Sequence, residues 1–350
     1  MKTQLPQITK VSLTLAAFII LIAGIMYAKA IVNPLLLALF ISVICEKPLS
    51  WLKKKKVPEG LAVTIVMVGI LLIYAGFIQL IGASLSMFLG DMPKYQESFN
   101  EFQASIIQYF ESKGIDIAAL GGEMPINGAR VMEYTARIFG KLGDMMSNEI
   151  TIILLTIFLI AEMDVISLKI KVVAKRTKVN LEYLNTITAK IRHYLTIKTL
   201  VSLLTGVLVG ISLAFIGVDY PILWGLVAFL LNYIPTIGSV IAAIPAVLFS
   251  ILELGFPASY ITIAIYLIIN FVIGSIFEPK IMGKGLGLST FVVFFSLIFW
   301  GFVLGPVGMF LSIPLMIMIK ILLENNSDTK WIATLLGTKR ESEIALNEED

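Results

Sequence analysis

The chain has 350 residues, 58% of them hydrophobic and 15% charged, where an ordinary soluble domain carries about 45–50% and about 25%. At a mean hydropathy of +0.92 the surplus apolar side chains must face something other than water, and a net charge of +3 from 27 Lys+Arg and 24 Asp+Glu is too small for a nucleic-acid binder. One cysteine, Cys45, excludes an intrachain disulfide, and one histidine, His193, excludes a multi-histidine metal site.

This composition predicts an all-α, polytopic membrane protein; eight spans of roughly 20 residues would use about 160 of them. Residues 11–28 are uncharged, come directly after Lys10 and are long enough to span. Ala28-Lys29-Ala30 has the form of a signal-peptide cleavage site, but the apolar run exceeds a usual signal core and another apolar segment comes after it, so a retained first span is expected. Residues 31–45 give a short second segment around Asn33-Pro34, and Lys53, Lys54, Lys55 and Lys56 come soon after it. A basic cluster beside a span marks the cytoplasmic side. Residues 61–89 then run outward.

Residues 91–149 turn polar and mildly acidic, punctuated by Pro93, Gly114, Gly121-Gly122 and Pro125. Phe99, Phe102, Ile106 and Phe110 recur at helical spacing, as do Val131, Tyr134 or Thr135, Ile138, Leu142 and Met145, which predicts a small external helical hairpin. Its apolar stripes pack on each other or on the membrane surface, or meet another subunit. Residues 150–163 are again apolar, and Lys169, Lys171, Lys175, Arg176, Lys178, Lys190, Arg192 and Lys198 come next. That stretch is expected in the cytoplasm. Within it Leu184, Ile187, Ile191 and Tyr194 suggest an amphipathic helix along the inner surface, before the chain turns into the membrane at Thr199. His193 on that helix is read as an ordinary interfacial side chain.

The apolar second half contains two segments rich in proline and glycine. The first runs Trp224-Gly225-Leu226-Val227, Asn232-Tyr233-Ile234-Pro235-Thr236-Ile237-Gly238, then Ile244-Pro245; the second runs Trp300-Gly301-Phe302-Val303, Gly305-Pro306-Val307-Gly308, then Ile313-Pro314. Three shared elements in one order read as an internal repeat. An interior proline removes one N–H donor and blocks a carbonyl, and such groups persist in a membrane only where protein, water or a ligand satisfies them. Paired broken segments therefore point to a transporter's substrate pathway, with Asn232, Pro235, Thr236, Gly238 and Pro245 in one break and Gly305, Pro306, Gly308 and Pro314 in the other. The bland reading is close packing of kinked spans.

Asn270 lies inside the apolar run 260–277 and Glu278 closes it. Polar groups so placed are functional candidates, with Glu278 either a coupling residue or the partner of Lys280 or Lys284. The Gly283-Lys284-Gly285-Leu286-Gly287 loop lacks the phosphate-loop order and reads as a linker. Neither an ATP-binding motif nor a hydrolase or zinc-protease motif occurs, so no enzyme, cofactor or resident metal is expected.

Asn232-Tyr233-Ile234-Pro235-x-x-Gly238 with Ile244-Pro245, Glu278-Pro279-Lys280-Ile281-x-Gly283, and Trp300-Gly301 through Gly305-x-x-Gly308 to Pro314 resemble the autoinducer-2 exporter family of membrane permeases. The resemblance covers nearly the whole chain. It implies a bacterial inner-membrane protein with both termini cytoplasmic, homo-oligomeric, moving a small polar solute such as the quorum-sensing signal or exchanging sodium for protons. The segments expected are N-terminal spans over 1–90, the external hairpin over 91–149, a span and basic helix over 150–198, the broken core over 199–325 and a cytoplasmic tail over 326–350. A non-transporting membrane scaffold is the competing reading, and the backbone cost of the broken segments argues against it.

Overall fold

The computed structural model describes residues 7–114, 137, 149–177, 181–282, 287–326, 328–339 and 343. No strand occurs among the described residues, and the protein is an all-α polytopic membrane protein. Six helices are long and apolar enough to cross a bilayer: Lys29–Lys54, Glu59–Gly90, Thr186–Ile216, Ile237–Leu254, Phe256–Met282 and Pro306–Glu324. A seventh crossing would combine Ile150–Ala161 with Met163–Arg176, which meet at a bend of 63°. Among the described residues the spans thus number six or seven where about eight are expected, and three further apolar helices, Ser12–Tyr27, Pro221–Leu231 and Thr290–Leu304, are shorter. Large apolar side chains such as Leu72, Phe215, Leu267 and Phe302 are exposed along these helices, as expected where hydrocarbon rather than water is the solvent.

Two compact units interleave along the chain. One comprises Met1–Met67, Asn148–Leu195 and Lys284–Asp350, the other Val68–Ser147 and Thr196–Gly283. In the first, the Lys29–Lys54 helix runs through Pro34 and Pro48 without stopping, longer than the 31–45 segment expected, and packs on Glu149–Ala161. In the second, Phe249 is the hub of an aromatic cluster, with ring centroids 4.7 Å from Tyr95 and 5.2 Å from both Phe88 and Trp224. Edge-on aromatic packing of this kind fixes orientation as well as burying area.

The basic amphipathic stretch departs from expectation. Instead of a surface helix and then a turn at Thr199, residues Leu181–Ile216 form one continuous helix of 36 residues. Ile191 and Tyr194 are buried and His193 is exposed, so that stripe faces protein and not lipid. In the polar segment, Met92–Ser112 is the helix expected from its phenylalanine spacing, with Phe99 buried and Phe102 against Phe256 at 5.5 Å. The second amphipathic stripe, from Val131 to Met145, and most of the acidic tail lie outside the described residues.

Candidate functional site

Each broken segment folds into an antiparallel helical hairpin. The first joins Pro221–Leu231 to Ile237–Leu254 through a turn at 232–236, and the second joins Thr290–Leu304 to Pro306–Glu324 through Gly305 alone. Short arms of 11 and 15 residues reach only about 16 and 22 Å, less than the roughly 30 Å of hydrocarbon in a bilayer. Both tips are consequently non-helical backbone reached by an arm too short to cross. The two hairpins belong to different compact units.

The repeat seen in the sequence has a steric basis. A Cβ on Gly238 would stand 1.8 Å from the Leu231 carbonyl oxygen, and one on Gly308 would stand 1.9 Å from that of Trp300. Only hydrogen fits where the returning helix meets the outgoing backbone. The turns differ: Thr236, exposed, has φ 63° and ψ −50°, a strained conformation for a β-branched residue, whereas Gly305 takes φ 70° and ψ −149° without penalty.

The four prolines do not act alike. Pro245 and Pro314 are buried inside helices, where each removes a backbone hydrogen bond. Pro306 starts its helix, where the N–H would have no intrahelical partner anyway, so this break comes from Gly305 and not from the proline. Pro235 lies in the turn, its carbonyl accepting from Ile237 N–H at 2.6 Å.

Side chains tie each break to a neighbouring helix. Asn232, buried, donates from Nδ2 to Ser202 Oγ at 3.0 Å, and the Tyr233 hydroxyl donates to Thr199 Oγ1 at 2.7 Å. At the second break Asn33 Nδ2 donates to the Leu304 carbonyl at 3.1 Å, and Asn33 Oδ1 is buried with no hydrogen-bond partner among the described residues. Asn33 was visible in the sequence only as the neighbour of Pro34; its pairing spans 271 positions. Also unforeseen was the packing of Gly206 and Gly210 on Gly225, where a Cβ on Gly225 would stand 2.6 Å from the Gly206 carbonyl. The Gly206-x-x-x-Gly210 spacing was the available signal.

Asn270 is exposed and begins a π-helix, Asn270–Phe277, whose wider turns rotate the helix beyond them and deliver Glu278 at their end. π-turns within α-helices recur at functional sites. Glu278 does not pair with Lys280, which is exposed; Lys284 lies outside the described residues. Its partner is Lys198 from the Leu181–Ile216 helix, Nζ lying 2.8 and 3.0 Å from the two carboxylate oxygens, with the side chains only 5% and 17% exposed. The same unit carries a polar cluster in which the Tyr95 hydroxyl donates to Asp219 at 2.9 Å, Asp219 N–H donates to Glu253 at 2.8 Å, and Tyr220 bonds Asp91. Burial, then the bond to Asp91, pushes the Tyr220 hydroxyl up to about 12. No cluster able to hold a metal ion is present among the described residues.

Residues 15–328 match the sequence model described as AI-2E family transporter. The chain is 36% identical to the AI-2 transport protein TqsA of Escherichia coli K12, covering 94% of this chain and 95% of that one. It is also 37% identical to a putative transport protein of Haemophilus influenzae, covering 93% and 95%, and 32% identical to the putative transport protein YhhT of E. coli K12, covering 94% of both.

Proposed function

The chain belongs to the AI-2E transporter family and is a membrane transporter, and we propose that it is a secondary transporter exporting a small polar solute, the autoinducer-2 signal, across the bacterial inner membrane. The observation that carries the reading is the pair of hairpins, each built on a glycine pressed against a backbone carbonyl and each carrying a proline inside its long arm. Irregular backbone at membrane depth is tolerated where it lines a path for something polar. Asn232, Thr236 and the backbone around Pro235, Gly238 and Pro245 serve the solute in one hairpin; Gly305, Pro306, Gly308 and Pro314 serve it in the other. Membrane lipid is the surrounding partner, and the chain works as a homo-oligomer, as its resemblance implies.

A second reading, sodium/proton antiport, is favoured by the Lys198–Glu278 pair, because ionisable groups within spanning helices mark ion pathways. Purified protein in liposomes separates the readings. Solute efflux is the expected result; cation exchange without solute movement supports antiport, and neither activity supports a scaffold.

The proposed orientation places both termini, the Lys53–Lys56 cluster and the stretch from Lys169 to Lys198 in the cytoplasm, with Met92–Ser112 outside. After replacement of Cys45, single cysteines at Ser112 and Thr177 should react with an impermeant thiol reagent from opposite sides of the membrane. Reaction from one side defeats the orientation.

A further inference from the structure

The helix Met163–Thr177 has a surface that the transport reading does not use. It leaves the apolar Glu149–Ala161 helix at a 63° bend. Its start is anchored: Lys53, from the end of the Lys29–Lys54 helix, holds Asp164 at 2.6 Å and Glu59 at 2.9 Å. From Val165 to Thr177 the sequence holds four cations, Lys169, Lys171, Lys175 and Arg176, and no acid.

At about 100° per residue, Met163, Ile166, Ile170 and Ala174 fall on one side, and there Ala174 is buried, Met163 and Ile166 are half-buried and Ile170 is 41% exposed. Val165, Leu168 and Val172 fall on the opposite side as one strip, and all three are exposed, Leu168 by 63%. The cations flank that strip, Lys171 and Lys175 along one border and Lys169 and Arg176 along the other. An open apolar strip with a lysine or arginine on each border suits an interface, since the stems cover hydrocarbon while the charged heads reach outward.

We propose that this helix is a docking face for anionic phospholipid: the Val165–Leu168–Val172 strip sits at the acyl boundary of the cytoplasmic leaflet and the four cations meet lipid phosphates. Charge complementarity selects the occupant. A neutral surface would leave four cations without counter-charges, whereas the inner leaflet's phosphates lie in the plane the flanking side chains reach. The reading rests on the multi-pass membrane assignment and the proposed orientation, and is independent of the solute.

The test uses the full chain with Cys45 replaced and one cysteine, at Leu168 or at Ser167, carrying an environment-sensitive fluorophore. The protein is reconstituted into phosphatidylcholine vesicles with or without phosphatidylglycerol, and spin-labelled lipid is the quencher. Quenching at Leu168 should be several-fold stronger with phosphatidylglycerol than without, should weaken in high salt, and should exceed that at Ser167. In the K169Q/K171Q/K175Q/R176Q variant the phosphatidylglycerol dependence should vanish while thermal stability in detergent is kept. Equal quenching at the two positions, or equal lipid dependence in the variant, overturns the proposal. Shielding of Leu168 in native membranes but in neither kind of vesicle would also overturn it, and would indicate a protein partner. Absence of any transport by the protein with its four cations intact, with the lipid dependence present, would count against the transport reading alone.

Discussion

Gly308→Ala and Gly238→Ala are expected to destabilise the protein by more than about 3 kcal/mol each, although each adds one methyl group. The new Cβ would stand 1.9 Å from the Trp300 carbonyl oxygen in one case and 1.8 Å from that of Leu231 in the other, and no side-chain rotation relieves a clash with backbone. Each hairpin would have to open at its tip. Gly24→Ala and Gly69→Ala, where a Cβ meets nothing within 4 Å, should by contrast leave stability unchanged. Thermal unfolding in detergent checks all four, and equal melting of Gly308→Ala and Gly69→Ala would refute the close-approach account. Because the turn lies at the proposed solute path, transport should fall at least as far as stability.

Removing one partner of the Lys198–Glu278 pair is the second large effect. Lys198→Met would leave a carboxylate of which 17% is exposed without its counter-charge, and loss of one member of a buried pair costs about 3–5 kcal/mol. Glu278→Met should cost a comparable amount. The double variant should recover most of the loss, because two apolar side chains satisfy each other where one stranded charge cannot. Additive losses in the double-mutant cycle would show that the two residues do not interact. A coupling role adds an outcome that a purely structural pair does not share: Glu278→Gln, which cannot titrate, should still bind solute and lose the pH dependence of transport. An unchanged pH profile would remove Glu278 from coupling while leaving its stabilising role intact.

Much of the architecture was legible before folding. The hydropathy of the chain required a solvent other than water, and the 3.6-residue periodicity of Phe99, Phe102 and Ile106 marked the amphipathic helix that the structure shows. The Trp-Gly-x-Val and Pro/Gly repeats pointed to two breaks, and both are present as hairpins. Less legible were helix ends. Nothing local stops the helix at Thr199, so Leu181–Ile216 runs unbroken, while Pro306, which looked like a breaker, is the residue that begins a helix.

The chain by itself determined the class of protein and the places where backbone could not be regular, since burial preference and proline and glycine chemistry are local properties. Tertiary structure alone decided the partners. Glu278 meets Lys198, 80 positions away, instead of its neighbour Lys280, and Asn33 meets the Leu304 carbonyl across 271 positions. The physical reason is that an ion pair or a cap between distant helices depends on which helix faces cross. That crossing is set by close approaches such as Gly206 on Gly225, whose geometry appears only once the helices pack.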